Sequence, residues 1–186
     1  MISDKMEYEH EIIKGLYLIP RYIDSEECEK IVSYIHNQEN CPWVPVSSSK
    51  NSREVVQFGY TYSYDRSGVT KTQDIPGILK QVTEPMNQYL GLDPDVNFDQ
   101  LIINKYEQGQ AISPHIDSVK YFGDLILCVT LISPVTAIFK RAGQEIRVEL
   151  EPGSAYIMSG DARYKWTHQM RQGNGTRISL TYRTVR

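Results

Sequence analysis

From residue 98 to the C-terminus, short runs of apolar and β-branched residues follow one another at turn signals. That spacing constrains the fold more than any other feature of the chain. The runs are Leu101 to Tyr106, Ile112 to Ile116, Leu125 to Ile132, Thr136 to Arg141, Ile146 to Leu150, Ala155 to Met158 and Arg177 to Thr184. Turn residues separate them, and Arg141-Ala142-Gly143-Gln144 reads as a hairpin turn. Such a succession predicts a sandwich or jelly roll.

The front of the chain reads as helices and a few strands. Ile12 to Ile23 looks like a strand, and Asp24 with Glu27 reads as a capping box at the start of a helix. Cys28, Ile31, Val32 and Ile35 form the apolar stripe of that helix. Val56, Phe58, Tyr60, Tyr62 and Tyr64 then fall on one face of a strand at period two. Arg66 to Asp74 reads as a loop. A second helix follows, with Pro76 near its start, an apolar side running from Ile78 to Leu90, and Gly91 at its end. A chain of 186 residues fits a single domain and buries about two thirds of its unfolded surface without disulfides.

Cys28, Cys41 and Cys128 are odd in number and far apart, which predicts a reducing compartment and no disulfide-linked partner. Cys28, His36 and Cys41 match no usual zinc-finger spacing. Met1 to His10 is charged, unlike a signal peptide, and Leu125 to Ile132 is too short to cross a bilayer. The expectation is a cytoplasmic or nuclear protein without membrane contact. Charge is uneven: residues 1–139 carry net −8 and residues 140–186 net +5. That basic C-terminal quarter fits either a polyanion site or arginines with internal partners.

Of four histidines, two lie in the β-rich body. His115 is followed at i+2 by Asp117, a spacing that puts both on one face of an extended strand. His168 follows later. Two histidines and a carboxylate on one face of an octahedral metal leave three positions open, the ligand set of non-heme Fe(II) oxygenases. The pair alone also fits a salt-bridged surface. In Arg177-Ile178-Ser179-Leu180-Thr181-Tyr182-Arg183, alternation puts Arg177, Ser179, Thr181 and Arg183 on one strand face. Inward-facing arginines need anions, either a small dicarboxylate or protein partners such as Glu149 or Glu151. A metal triad with open positions followed by such arginines is what joint binding of a 2-oxo acid requires.

Asn104-Lys105-Tyr106-Glu107-Gln108-Gly109, His115-Ile116-Asp117, His168 and the Arg177 to Arg183 pattern together resemble the AlkB family of dioxygenases. The stretch from Met158 to His168 is most similar to the subgroup typified by the tRNA wobble-uridine hydroxylase. The resemblance implies a mainly β (α+β) fold, a double-stranded β-helix with N-terminal helices packed on the outside. It implies one catalytic domain over residues 1–186, with 1–97 helical and lid-forming and 98–186 the jelly-roll core. His115, Asp117 and His168 would bind iron. Asn104, Tyr106, Arg177, Ser179 and Arg183 would bind 2-oxoglutarate, Arg177 at its far carboxylate and Arg183 near the oxo-acid end.

The reaction implied uses O2 to decarboxylate 2-oxoglutarate to succinate while oxidising a substrate C–H bond. The substrate implied is nucleic acid, RNA ahead of DNA and modified tRNA foremost. The other readings are a repair demethylase of N-alkylated bases, a protein hydroxylase or demethylase, and a non-catalytic jelly-roll binding module. Arg53, Tyr60, Tyr62, Arg163 and Lys165 are the expected substrate contacts, with Tyr64 and Trp166 beside them. For the tyrosines and Trp166 the competing role is packing. Two positions depart from repair members: Val119 stands where they carry an acidic residue, and Asn51-Ser52-Arg53 where their stacking aromatic lies.

Overall fold

A computed structural model describes residues 8–65, 67–90, 96–171 and 173–186. Its strands are β1 (Leu16–Ile19), β2 (Val44–Pro45), β3 (Glu54–Phe58), β4 (Tyr60–Tyr62), β5 (Val69–Lys71), β6 (Gln100–Tyr106) and β7 (Ile112–His115). Then come β8 (Phe122–Leu131), β9 (Val135–Arg141), β10 (Gln144–Leu150), β11 (Ala155–Met158), β12 (Thr167–Met170) and β13 (Arg177–Val185). The helices are α1 (Ser25–His36), α2 (Gly77–Lys80), α3 (Met86–Leu90) and α4 (Gly160–Tyr164).

The strands make an antiparallel sheet of seven, ordered β1-β11-β8-β13-β6-β3-β2, facing a sheet of four, ordered β10-β9-β12-β7. This is the double-stranded β-helix that the strand succession predicts. β9 and β10 are joined by Ala142 and Gly143, both at positive φ, as a two-residue primed turn requires.

The seven-stranded sheet is covered on both faces, so its strands are apolar nearly throughout. On β8, Leu127, Val129 and Leu131 join the cluster beneath the helices, whereas Ile126 and Cys128 join the cluster between the sheets. α1, α2 and α3 lie outside the larger sheet, and phenols pin α2 and the turn after it. Tyr22 donates to Val82 O at 2.7 Å and Tyr182 to Leu79 O at 2.7 Å. Leu79, Val82, Met86 and Leu90 complete that layer. Burying each such side chain contributes about 1.5–3 kcal/mol.

Several expectations change. β1 is shorter than Ile12 to Ile23. Asp24 does cap α1, accepting from Glu27 N at 2.8 Å. The second helix is broken into α2, a 3-10 turn at Gln81–Thr83, and α3. Pro85 lies at the second break, where it supplies no amide hydrogen. Gly91 and Arg66 lie outside the described residues. Within the expected loop, β5 pairs with β4 as a separate two-stranded sheet. β12 was not apparent in the sequence at all.

The strand carrying Val56 to Tyr64 is interrupted at Gly59, whose φ is +74 and whose ideal Cβ would stand 1.7 Å from Asp99 O. Only glycine meets both demands, and the chain there leaves the large sheet. Gly59→Ala is expected to destabilise the fold by about 2 kcal/mol or more. Thermal or urea melting checks this, and an unchanged midpoint contradicts it.

Candidate active site

A cavity of about 730 Å³ opens between the two sheets. Strand alternation decides which residues reach it. Asn104 and Tyr106 come from β6, Cys128 from β8, Tyr156 from β11, and Arg177, Ser179, Thr181 and Arg183 from β13. The β6–β13 register sets Arg177 opposite Tyr106 and Ser179 opposite Asn104. The smaller sheet contributes His115 and His168, which are register partners with ring centroids 4.3 Å apart.

Asp117 does not share a strand with His115. β7 ends at His115, and Asp117 lies in the irregular segment that follows. The three side chains nonetheless converge, with ligand atoms all within 4.8 Å of one another. His115 Nδ1 lies 2.8 Å from Ser113 O. A carbonyl oxygen only accepts, so Nδ1 carries a hydrogen, and Nε2 is the ring nitrogen left to face the site. That nitrogen is 3.3 Å from Asp117 Oδ1, an arrangement suited to a cation between them.

The electrostatics match. Burial, and then the neighbouring His115, lower the pKa of His168 to about 3, so its imidazole is neutral near pH 7. Burial acts to raise the Asp117 carboxyl, but Arg183 and the two histidines outweigh it and hold it well below the usual carboxylate range. Arg183 Nε donates to Asp117 Oδ2 at 2.8 Å, and Arg183 Nη1 donates to Gln100 at 3.1 Å. Asp117 Oδ1 is thereby turned toward the histidines.

Arg177 is 5% exposed and no carboxylate among the described residues pairs with it. Its guanidinium lies 4.2 Å from the centroid of the Tyr106 ring. Glu149, one suggested partner, accepts from Thr136 instead. Asn104 Oδ1 accepts from Arg53 Nε at 3.0 Å. A guanidinium only donates, so the amide oxygen must face it and the Asn104 NH2 remains free as a donor.

The expected substrate residues separate. Arg53 and Tyr62 line the cavity, and Tyr62 belongs to an aromatic wall with Tyr64, Tyr121 and Phe122. Tyr60 and Lys165 do not line it, and Lys165 pairs with Asp161 at 2.8 Å. Arg163 is 1% exposed and bonds to backbone carbonyls, so it is not a surface phosphate contact. Trp166 packs in the core between the sheets. Sequence reasoning missed Lys120, Phe122, Tyr156 and Cys128 as cavity walls. The period-two face of β8 could have indicated Phe122 and Cys128, whereas Lys120 lies in the irregular segment and gave no signal.

A jelly roll that draws two histidines and a carboxylate together beside an unpaired, buried arginine has the architecture of a metal-dependent oxygenase that takes an acidic co-substrate. The chain belongs to the 2OG-Fe(II) oxygenase superfamily, which it matches over residues 15–183. Within that superfamily it is AlkB-like. It is 35% identical over 164 residues to the Xenopus tropicalis tRNA (carboxymethyluridine(34)-5-O)-methyltransferase alkbh8, a match spanning 83% of this chain and 24% of the relative. It is 26% identical to the Arabidopsis thaliana alkylated DNA repair protein ALKBH8 homolog, covering 94% of this chain and 59% of the relative. The chain thus spans about a quarter of the length of the Xenopus protein. The solved structure of OsALKBH1 superposes with a TM-score of 0.72 at 13% identity, covering 91% of this chain and 96% of that one, which shows the shared fold. The protein is an oxidoreductase, a dioxygenase whose cofactors are Fe(II), 2-oxoglutarate and O2. Among the described residues no helix is long and apolar enough to cross a membrane.

Proposed function

We propose that the protein oxidises a C–H bond of a nucleic-acid substrate, RNA ahead of DNA, with His115, Asp117 and His168 holding the iron. When bound, iron and 2-oxoglutarate supply oxygen activation coupled to release of succinate and CO2. The protein's own residues place the reactants. His115 Nε2, the neutral His168 imidazole and Asp117 Oδ1 offer the ligand atoms, while Arg183 keeps the carboxylate aimed. Arg177 receives the far carboxylate of 2-oxoglutarate, helped by the Tyr106 phenol that burial keeps protonated. The Asn104 NH2 and Ser179 add donors beside it, and Arg183 closes the oxo-acid end. On this reading residues 1–97 supply the substrate-side wall of a single domain.

The observation that carries the co-substrate assignment is Arg177, a buried guanidinium that no carboxylate among the described residues meets. For the substrate, the support is the charge of the cavity wall. Arg53, Lys120, Arg177 and Arg183 face one carboxylate, Asp117. A dicarboxylate and the metal site occupy the inner pair, which leaves Arg53 and Lys120 for a further anion. The aromatic wall around Tyr62 offers a face on which a base can stack. Both curated relatives also carry names that refer to nucleic acid, tRNA in one and DNA in the other.

The test is mass spectrometry of nucleosides from total tRNA and DNA incubated with the enzyme, Fe(II) and 2-oxoglutarate. Expected is the gain of a hydroxyl or loss of an alkyl group on one nucleoside, dependent on both additions. Unchanged nucleosides in both pools, with 2-oxoglutarate still consumed, would redirect the assignment to a protein substrate.

A further inference from the structure

We propose that Arg163 is the positioning residue of the metal site, holding the backbone of Asp117 and of the cavity-wall segment after it as one unit. The inference rests on the reading of Asp117 as a metal ligand. Between the end of β7 at His115 and the start of β8 at Phe122 the chain forms no ladder; in its backbone Ser118 O accepts from Phe122 N and Tyr121 O from Arg186 N, and strand pairing does not fix its path. Arg163, on α4, supplies the donors. Nη1 donates to Asp117 O at 2.9 Å and Nε to Gly123 O at 3.1 Å. Nη2 donates to Ser118 O at 3.2 Å and Phe122 O at 3.3 Å. Four of the five N–H groups of a guanidinium are consumed in one plane, a task that no other side chain performs.

Both ends of Asp117 are therefore held by arginines. Arg183 grips the carboxylate and Arg163 the carbonyl. Arg163 also precedes His168 by only five residues, so the clamp ties two ligand-bearing segments together. A buried cation bonded only to carbonyls is a costly way to gain stability alone. What the fork adds is geometry. Because every contact of the fork is to backbone, Arg163 leaves the side chains of the segment to other partners: Asp117 is gripped by Arg183, and Lys120 lies over the Tyr121 ring. Val119, 49% exposed, and Lys120 both face the cavity mouth. Outside the same segment, Arg186 donates to Val119 O at 3.2 Å, and both Arg186 and Tyr164 donate to Asp124. The path of the segment is thus fixed through its backbone rather than its side chains, which suits a wall that selects substrate.

The experiment titrates metal-free wild type, Arg163→Met and Arg163→Lys with Co(II), following its visible absorption, with melting curves to establish that each variant is folded. Expected is a tenfold or greater loss of Co(II) affinity in Arg163→Met, the scale typical of groups that orient ligands. Hydrogen exchange should accelerate over residues 117–123 and stay unchanged in α1. Arg163→Lys should recover little, since one ammonium cannot span four carbonyls. A folded Arg163→Met that binds Co(II) like the wild type, with unchanged exchange, overturns the proposal. If neither variant folds, the wild type decides: the Arg163 Nε–H resonance should shift when Zn(II) binds, and an unmoved resonance overturns it. Asp117→Ala, run alongside, separates the two readings. Wild-type Co(II) affinity in that variant would remove Asp117 from the ligand set whatever Arg163 does.

Discussion

Alanine at His115 or at Asp117 is expected to abolish 2-oxoglutarate turnover, with the fold left intact at His115 and destabilised at Asp117. Each change removes one of three ligands, and two remaining ligands rarely keep iron in a productive geometry. The two variants should differ in a telling way. His115 is half exposed at the end of β7, so its loss disturbs little else. Asp117 is buried and its carboxylate neutralises Arg183, so Asp117→Ala leaves a buried guanidinium with Gln100 and the Phe122 ring but without its counter-ion. Breaking a buried pair from one side costs roughly 3–5 kcal/mol. Asp117→Asn, which retains one acceptor oxygen, should be the better-folded form of the same defect. Succinate assays and metal analysis of the purified variants check this. Succinate release at the wild-type rate with metal content unchanged would sink the ligand assignment.

Arg177→Ala is expected to raise the Michaelis constant for 2-oxoglutarate by well over tenfold. Truncating one partner of a sheltered arginine–carboxylate pair costs roughly 2–5 kcal/mol, because the other charge is left buried and unpaired. Arg177→Lys should recover part of this, having charge without the fork. The ligand-free fold should lose little stability in either variant, since no carboxylate among the described residues pairs with Arg177 and would be stranded. That separation distinguishes a co-substrate residue from a structural one. An unchanged Michaelis constant in Arg177→Ala would place the dicarboxylate elsewhere.

Much of the site was legible because strand alternation is a local property. Once Arg177 to Arg183 is a strand, Arg177, Ser179, Thr181 and Arg183 share a face, and so do Asn104 and Tyr106 on their own strand. Ligand chemistry is likewise local, which is why His115, Asp117 and His168 could be named by type. Tertiary contacts set what was not legible. Asp117 lies beyond the end of its strand, and its aim comes from Arg183, 66 residues away. β12 was missed because Thr167 to Met170 is too short and polar to announce itself, and it is a strand only through its pairing with β7 and β9. Gly59 breaks a period-two pattern that otherwise runs smoothly, for a reason found in Asp99. Arg163 read as a phosphate contact because a basic residue near a site is usually exposed. Two carbonyls of the unpaired segment and two at the start of β8 instead drew it inward, and nothing in the residues around it records that.

The most direct test of the account is a crystal structure of the protein with Mn(II), an inert stand-in for iron, and 2-oxoglutarate, using anomalous scattering to locate the metal. The account predicts one anomalous peak bonded to His115 Nε2, Asp117 Oδ1 and His168, with the far carboxylate of 2-oxoglutarate on Arg177. An anomalous peak away from that triad, or 2-oxoglutarate bound without contact to Arg177, would contradict it.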